Sequence, residues 1–168
     1  AGIEQGIAAT KSFTSQMLCL ILISLKLVEN VHGLEATNEY KKSLFSLPII
    51  IEKALARRND IKELANYLSK ENLIVITADG ISYSLAKEAC LKIKETSYKN
   101  ISAAILGEFM HGHVAVFNNK GALIYIAVDE ISKRSVSNLQ KIKADYNPKL
   151  VIIGPCSDEI KPDYNINI

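Results

Sequence analysis

The sequence predicts an α/β domain, a three-layer αβα sandwich with a parallel sheet between two layers of helices. Three observations lead there. Short apolar runs of strand length recur at LIVITA (73–78), Ile101–Leu106, Ala122–Val128 and Leu150–Ile153, continuous as in strands buried on both faces. Helical patterns occupy 81–97 and 132–144, between some of these runs. The first run ends in Asp79-Gly80 directly before a helix, the way a parallel strand enters a βα turn. Strands and helices alternating through short links give a parallel sheet covered on both sides. Tyr164–Ile168 alternates and adds a weak edge strand.

Ahead of the sheet the chain reads as helical. Residues 7–31 form one long helix, and Met17–Val28 (MLCLILISLKLV) is apolar nearly all round, interrupted only by Ser24 and Lys26. A bilayer span needs about 20 apolar residues, and Gln16 and Lys26 bracket too short a run, so no membrane crossing is expected. A helix apolar on every side must be covered on every side. One small domain does not do that easily, so this helix is expected to pack on a partner: another part of a longer chain, a second copy, or both. Val31–Gly33 ends it, with the glycine as cap. Residues 38–57 form a second helical region with a break or kink at Leu47-Pro48. Asp60–Lys70 continues as helix, with Asp60 as N-cap and Ile61, Leu64, Ala65 and Leu68 at helical spacing. The whole, 1–168, reads as a single domain with a helical part (1–70) and a parallel βα part (71–168).

Composition narrows the class. The 168 residues suffice for one domain with its own core. With 48% hydrophobic and 23% charged residues the chain is of ordinary globular type. Its net charge is +2 with both signs interspersed, so no basic stripe points to nucleic acid. Cys19, Cys90 and Cys156 are far apart, unpaired by any CxxC, and set in apolar runs. They read as three buried thiols in a reducing cytoplasm. The chain opens on Ala1 with no initiator Met, basic segment or cleavage site; we expect no signal peptide, and a piece of a longer chain.

Acid, base and imidazole concentrate between Gly80 and His113. On a helical wheel Leu85, Ala86, Ala89, Cys90, Ile93 and Thr96 make an apolar face, and Ser84, Glu88, Lys92 and Glu95 cluster opposite. The ordinary reading of such a stripe is a solvated face with Glu88–Lys92 as a helical ion pair. Two features set it apart. Leu91 sits within the polar arc, and Lys92 lies at the edge of the apolar face, where partial burial can perturb its charge or that of Glu95. Glu108, His111 and His113 spell E-x-x-H-x-H, three candidate metal ligands without an evident fourth, and neither metal nor cofactor is expected. An acid and imidazoles in a loop are also the raw material of proton transfer. Ligands of parallel sheets bind beyond the carboxyl ends of the strands, where topology places both Asp79–Ser82 and Gly107–His113. No G-x-S-x-G elbow, P-loop or G-x-G-x-x-G occurs.

Four stretches together resemble a known family. AGIEQGIAATKSFTSQ (1–16), ACLKIKETSY (89–98) with Gly80 and Tyr83 before it, GEFMHGHVAV (107–116) and SNLQKIKA (137–144) are similar, in order, to motifs of the sugar isomerase (SIS) domains. Within that family they resemble the second SIS domain of the glucosamine-6-phosphate synthases. The resemblance implies a flavodoxin-like SIS fold, a cytoplasmic phosphosugar aldose–ketose isomerase acting on fructose 6-phosphate through an enediol, and a dimer or a pairing with another SIS domain. Glu95 falls on the glutamate that moves the proton between C1 and C2. Lys92 falls on the lysine that assists at the sugar oxygen, and His111 on the ring-opening histidine that serves the neighbouring subunit's site. Ile7 and Ala9 fall on the loop that touches the sugar. Departures are Ala9 for a serine, His113 for a proline, and Ala78-Asp79 for the Gly-Arg of a G-R-G turn. The phosphate-cradling loop, the C-terminal lysine tail and the glutaminase domain of the synthases have no counterpart here. An aminosugar-phosphate deaminase, a plain isomerase and a regulatory module that only binds sugar phosphate therefore stay open.

Overall fold

A computed structural model describes residues 2–118 and 120–167. The chain divides into two compact units that meet in sequence at Arg57–Arg58.

The N-terminal unit is helical. Helix α1 spans Lys11–His32, starting later than the sequence pattern indicates because residues 7–10 form a loop. Glu4 holds that loop against the helix start. Its carboxylate accepts from the Ser12 N–H at 3.0 Å and from the Thr10 hydroxyl at 3.1 Å. These bonds occupy donors that a helix N-terminus leaves open, and hydrogen bonds from Ser12 lead in lowering the Glu4 pKa to about 2. Gly33 ends α1 with φ 85°, its N–H donating to the Glu29 carbonyl at 2.9 Å. A single 3-10 turn, Leu34–Thr37, leads into α2, Asn38–Ala56. This helix runs through Pro48 without the expected break; Ser43 and Ser46 in the preceding turn donate their hydroxyls to backbone carbonyls.

Glu29 ties α1 to the 3-10 turn and to α2. Its side chain is only 6% exposed and pairs with Lys41, accepts from the Thr37 hydroxyl at 2.7 Å, and meets Lys26 at 3.4 Å. The Lys41 hydrogen bond, then that of Thr37, lowers its pKa from 4.5 to about 2. Because the folded value is the lower one, the stability this carboxylate contributes is complete above its unfolded value near 4.5 and is lost as pH falls toward 2. In an acid titration followed by far-ultraviolet circular dichroism, the wild type is expected to lose helicity across that window. Glu29→Gln should be less stable at neutral pH and show a flatter response. A Gln variant with the wild-type acid profile would remove Glu29 from this role.

The structure adds to one sequence reading of α1 and corrects another. The helix is 22 residues long, with mean hydropathy 1.4 over its most apolar 18-residue window. By length and composition it can cross a membrane, which the shorter Met17–Val28 run did not suggest; helices covered by protein pass the same test. Cys19, expected to be buried, is exposed, whereas Cys90 is buried and Cys156 half-buried.

The second unit begins with α3, Arg58–Leu68. It starts two residues before Asp60, so Asp60 lies in its first turn and is not the N-cap. The order then runs β1 (Ile74–Ala78), α4 (Ser82–Ser97), β2 (Ile101–Ile105), the short α5 (Leu106–Phe109), a 3-10 turn at His113–Phe117, β3 (Ala122–Ile126), α6 (Lys133–Tyr146), β4 (Lys149–Ile153) and β5 (Tyr164–Ile166). All strands are parallel, in the order β2-β1-β3-β4-β5. The fold is the αβα sandwich expected, and the alternation of side chains across a strand sorts the core into two clusters. Val75, Leu123, Tyr125, Leu150 and Ile152 face α5 and α6, packing on Leu106, Phe109, Val136, Leu139 and Ile142. Ile74, Ile76, Ala78, Ile124 and Val151 face the other way, against Leu64 and Leu68 of α3 and Ala86 and Cys90 of α4. Each large side chain so buried contributes about 1.5–3 kcal/mol.

Candidate functional site

Burial of Ser82, Ala86 and Cys90 fixes which face of α4 meets the sheet. Of the expected apolar face, Leu85 and Thr96 turn out exposed. The opposite stripe assembles as a charge cluster. The Lys92 ammonium donates to a Glu95 oxygen at 2.9 Å and lies 3.5 Å from Glu88. The three side chains are each between 23% and 29% exposed, half-withdrawn from water. The Glu95 hydrogen bond outweighs desolvation and raises the Lys92 pKa. Lys92 is therefore a firm cation: its charge is perturbed, but upward, because the hydrogen bond to Glu95 and the attraction of two carboxylates outweigh partial burial. Leu91 is 45% exposed beside them.

A crossover helix runs antiparallel to its strands. Glu95, thirteen residues after Ser82, lies about 20 Å along the helix axis from the carboxyl end of the sheet. The residues nearest that end form a different site. Strands β1 and β2 finish level, Ala78 beside Ile105, so the loops at Asp79 and Gly107 leave the same end, as topology required. The strand order reverses between β1 and β3, and a crevice of about 260 Å³ opens there between Asp79–Ser82 and the segment 127–135. Asp79 occupies it. Its Oδ2 accepts from the Ser135 hydroxyl at 2.8 Å and the Tyr125 hydroxyl at 3.1 Å. Ser132, the N-cap of α6, stands 2.8 Å from the Ser135 oxygen. Burial, chiefly, pushes the Tyr125 phenol up to about 12, so it stays a donor. A switch-point crevice between helix N-termini ordinarily suits an anion; here a carboxylate of the chain itself sits in it. Tyr125, Ser132 and Ser135 were not read from the sequence as partners of Asp79. Ser132-x-x-Ser135 is visible as a capping pattern, whereas Tyr125 is hidden in an apolar strand. Asp79→Ala is expected to lower stability by about 1–3 kcal/mol, with Asp79→Asn milder. Urea unfolding measures both, and a neutral Asp79→Ala would mean that the network is not holding β1 to α6.

His111 lies on the turn after α5, exposed, its N–H donating to the Glu108 carbonyl at 3.0 Å. No hydrogen bond or ion pair joins it to Glu95 among the described residues. His113 and Glu108, with Tyr83 of α4, line a cavity of about 510 Å³ along the edge strand β2. Among the described residues no group of three or more His, Cys, Asp or Glu side chains gathers as metal ligands. Ile7 is 94% exposed and Ala9 half-buried on the loop that Glu4 folds against α1, within the N-terminal unit. The structure thus gathers Lys92 and Glu95, adds Glu88, and leaves His111, Ile7 and Ala9 on loops of their own.

Comparison with known proteins bears on this arrangement. The profile of the SIS domain family matches residues 67–160, from the end of α3 past β4. The chain belongs to the SIS domain family. It is similar to the glutamine–fructose-6-phosphate aminotransferase [isomerizing] of Haemophilus influenzae, 35% identical over 147 residues, which are 86% of this chain and 24% of that protein. The enzyme of the same name from Wigglesworthia glossinidia brevipalpis is 31% identical, over all of this chain and 28% of its own length. This SIS domain therefore spans about a quarter of the length of the curated relatives. Among solved structures, the C-terminal domain of glucosamine-fructose-6-phosphate aminotransferase from Francisella tularensis superposes with TM-score 0.87 at 27% identity, covering 99% of this chain and 48% of that one. A phosphosugar isomerase structure from Clostridium difficile, so described provisionally, shares the fold at 20% identity and TM-score 0.82, over 99% of this chain and 47% of its own.

Proposed function

We propose that this SIS domain supplies the isomerising half of a sugar-phosphate active site of the glucosamine-6-phosphate synthase type. Its substrate is the open-chain form of fructose 6-phosphate or a close relative. The Lys92–Glu95 pair, half-withdrawn from water on α4, carries the reading. The Glu95 carboxylate takes a proton from C1 of the ketose; the C–H electron pair becomes the C1=C2 bond of the enediol as the C2 carbonyl oxygen takes up a proton. The carbon-bound proton returns at C2 as the C1 hydroxyl gives up its own to leave the aldose carbonyl. This is general acid–base catalysis by a positioned carboxylate. The fixed ammonium of Lys92 stabilises the charge that develops on the sugar oxygen. His111 acts on the ring oxygen in the neighbouring subunit's site, and Ile7 and Ala9 touch the sugar, as the family resemblance implies. The site is complete when a second SIS domain adds the phosphate-binding loop.

The exposed apolar residues of α1 and α2 support the pairing part of the reading. Leu20, Leu22, Ile23, Leu27, Phe45 and Ile49 are each at least half exposed within this chain, a surface that soluble chains cover with a partner. Free thiols at all three cysteines fit a cytoplasmic setting.

The test is proton exchange. The intact protein, given fructose 6-phosphate in deuterated water, should place deuterium at C1 of the ketose, read by proton NMR. Binding of the sugar phosphate without exchange would overturn the isomerase reading and favour the regulatory SIS module.

A further inference from the structure

At the amino end of the sheet a cavity of about 610 Å³ opens between the turn after α3, the loop entering β3 and the turn joining α6 to β4. Its lining includes Lys70, Lys120 and Lys149, three asparagines, Asn72, Asn118 and Asn147, and the buried Phe117. One acid, Glu71, belongs to the lining, and it is already paired with Lys149 at 2.8 Å. The same ammonium lies 4.1 Å above the Tyr67 ring. Lys149 is thus a fixed element of the wall.

Lysines at this end of a parallel sheet often serve only the carbonyl ends of helices, where the helix dipole is negative. Here that duty falls to others. Lys99 donates to the carbonyls of Ser69 and Glu71 after α3, and Lys143 donates to the Pro148 carbonyl after α6 at 2.9 Å. The side chains of Lys70 and Lys120 make no ion pair or hydrogen bond among the described residues, nor do those of the three asparagines. Two unassigned cations and three amides therefore share one concave wall with a single, neutralised acid. The volume is that of a small-molecule site, open to solvent on the side where Lys70 and Lys120 are exposed.

We propose that this cavity binds a small multivalent anion bearing phosphate or carboxylate groups. Lys70 and Lys120 contact the charge, and the asparagine amides contact neighbouring polar atoms. Lysine is a point-charge ligand for such groups. The site shares no residue with the Lys92–Glu95 cluster, so its occupancy is independent of the isomerase reading.

Isothermal titration calorimetry on the intact protein tests this with inorganic pyrophosphate and with citrate, which separate a phosphate ligand from a carboxylate one. At least one probe is expected to bind, with affinity falling steeply as salt is added. The double variant Lys70→Gln/Lys120→Gln should bind at least about tenfold more weakly while keeping the wild-type melting temperature without ligand. The proposal is overturned if neither probe binds, or if the double variant binds as tightly as the wild type.

Discussion

Gly154→Ala is expected to unfold the second unit or to reduce its stability by more than about 4 kcal/mol, the range reserved for a few severe mechanisms. Gly154 directly follows β4 with φ 113°, a conformation that L side chains rarely adopt. A Cβ there would stand 1.9 Å from the Ala127 carbonyl oxygen and 2.9 Å from its carbon. Neither side can give way. The Gly154 N–H donates to Ile166 at 2.8 Å, and the Ala127 N–H to Ile153 at 2.9 Å, so the contact is clamped within the sheet. Gly33 provides the comparison: its φ is 85°, but nothing lies within 4 Å of where a methyl group would stand. Gly33→Ala carries the conformational cost alone, about 1–3 kcal/mol, because φ 85° with ψ 166° is a backbone region that belongs almost wholly to glycine. Urea denaturation of the two variants separates the effects; equal midpoints would show that the backbones at Gly154 and Ala127 are not in close approach.

Glu95→Gln should remove about 10²–10⁴-fold of the turnover number for ketose–aldose exchange while leaving KM for the sugar phosphate within a few-fold. The amide keeps the shape of the side chain and an acceptor for the Lys92 ammonium, which lies 2.9 Å from Glu95. It cannot take a proton from carbon. A fall in kcat with KM unchanged is the signature of a group acting only in the transition state. Glu95→Asp, one methylene shorter, should retain part of the activity. A Gln variant with wild-type exchange would remove Glu95 as the base.

The sheet was legible because β1, β3 and β4 are covered on both faces and read as nearly continuous apolar runs, with Thr77 inside β1 and Lys149 at the start of β4 as polar exceptions. The edge strand β5, three residues long, was recognisable only by its alternation. Helix starts were harder to place. Asp60 has the side chain of an N-cap, yet α3 begins at Arg58, where the backbone has already turned helical after Arg57. The stripe of Glu88, Lys92 and Glu95 followed from helical spacing alone. Its distance from the carboxyl-end loops did not, because a wheel records angle and discards height. The Asp79 network was beyond local reading: its partners lie 46 and 56 residues away, and only the pairing of β1 with β3, which carries Tyr125, and the packing of α6, which carries Ser135, bring them together. Cys19 shows the same limit from the other side, since an apolar neighbourhood in sequence says nothing of what covers it in space.

The strand order also governs how the domain comes into being on the ribosome. β1 lies between β2 and β3, so βαβ pairing with β2 completes only one of its edges. The other waits for the chain between Ile105 and Ala122, about one to three seconds of synthesis at ordinary elongation rates. Throughout that interval the most apolar strand, IVITA, presents an open hydrogen-bonding ladder. The nascent chain is most exposed to mispairing at the strand that the finished domain buries most deeply.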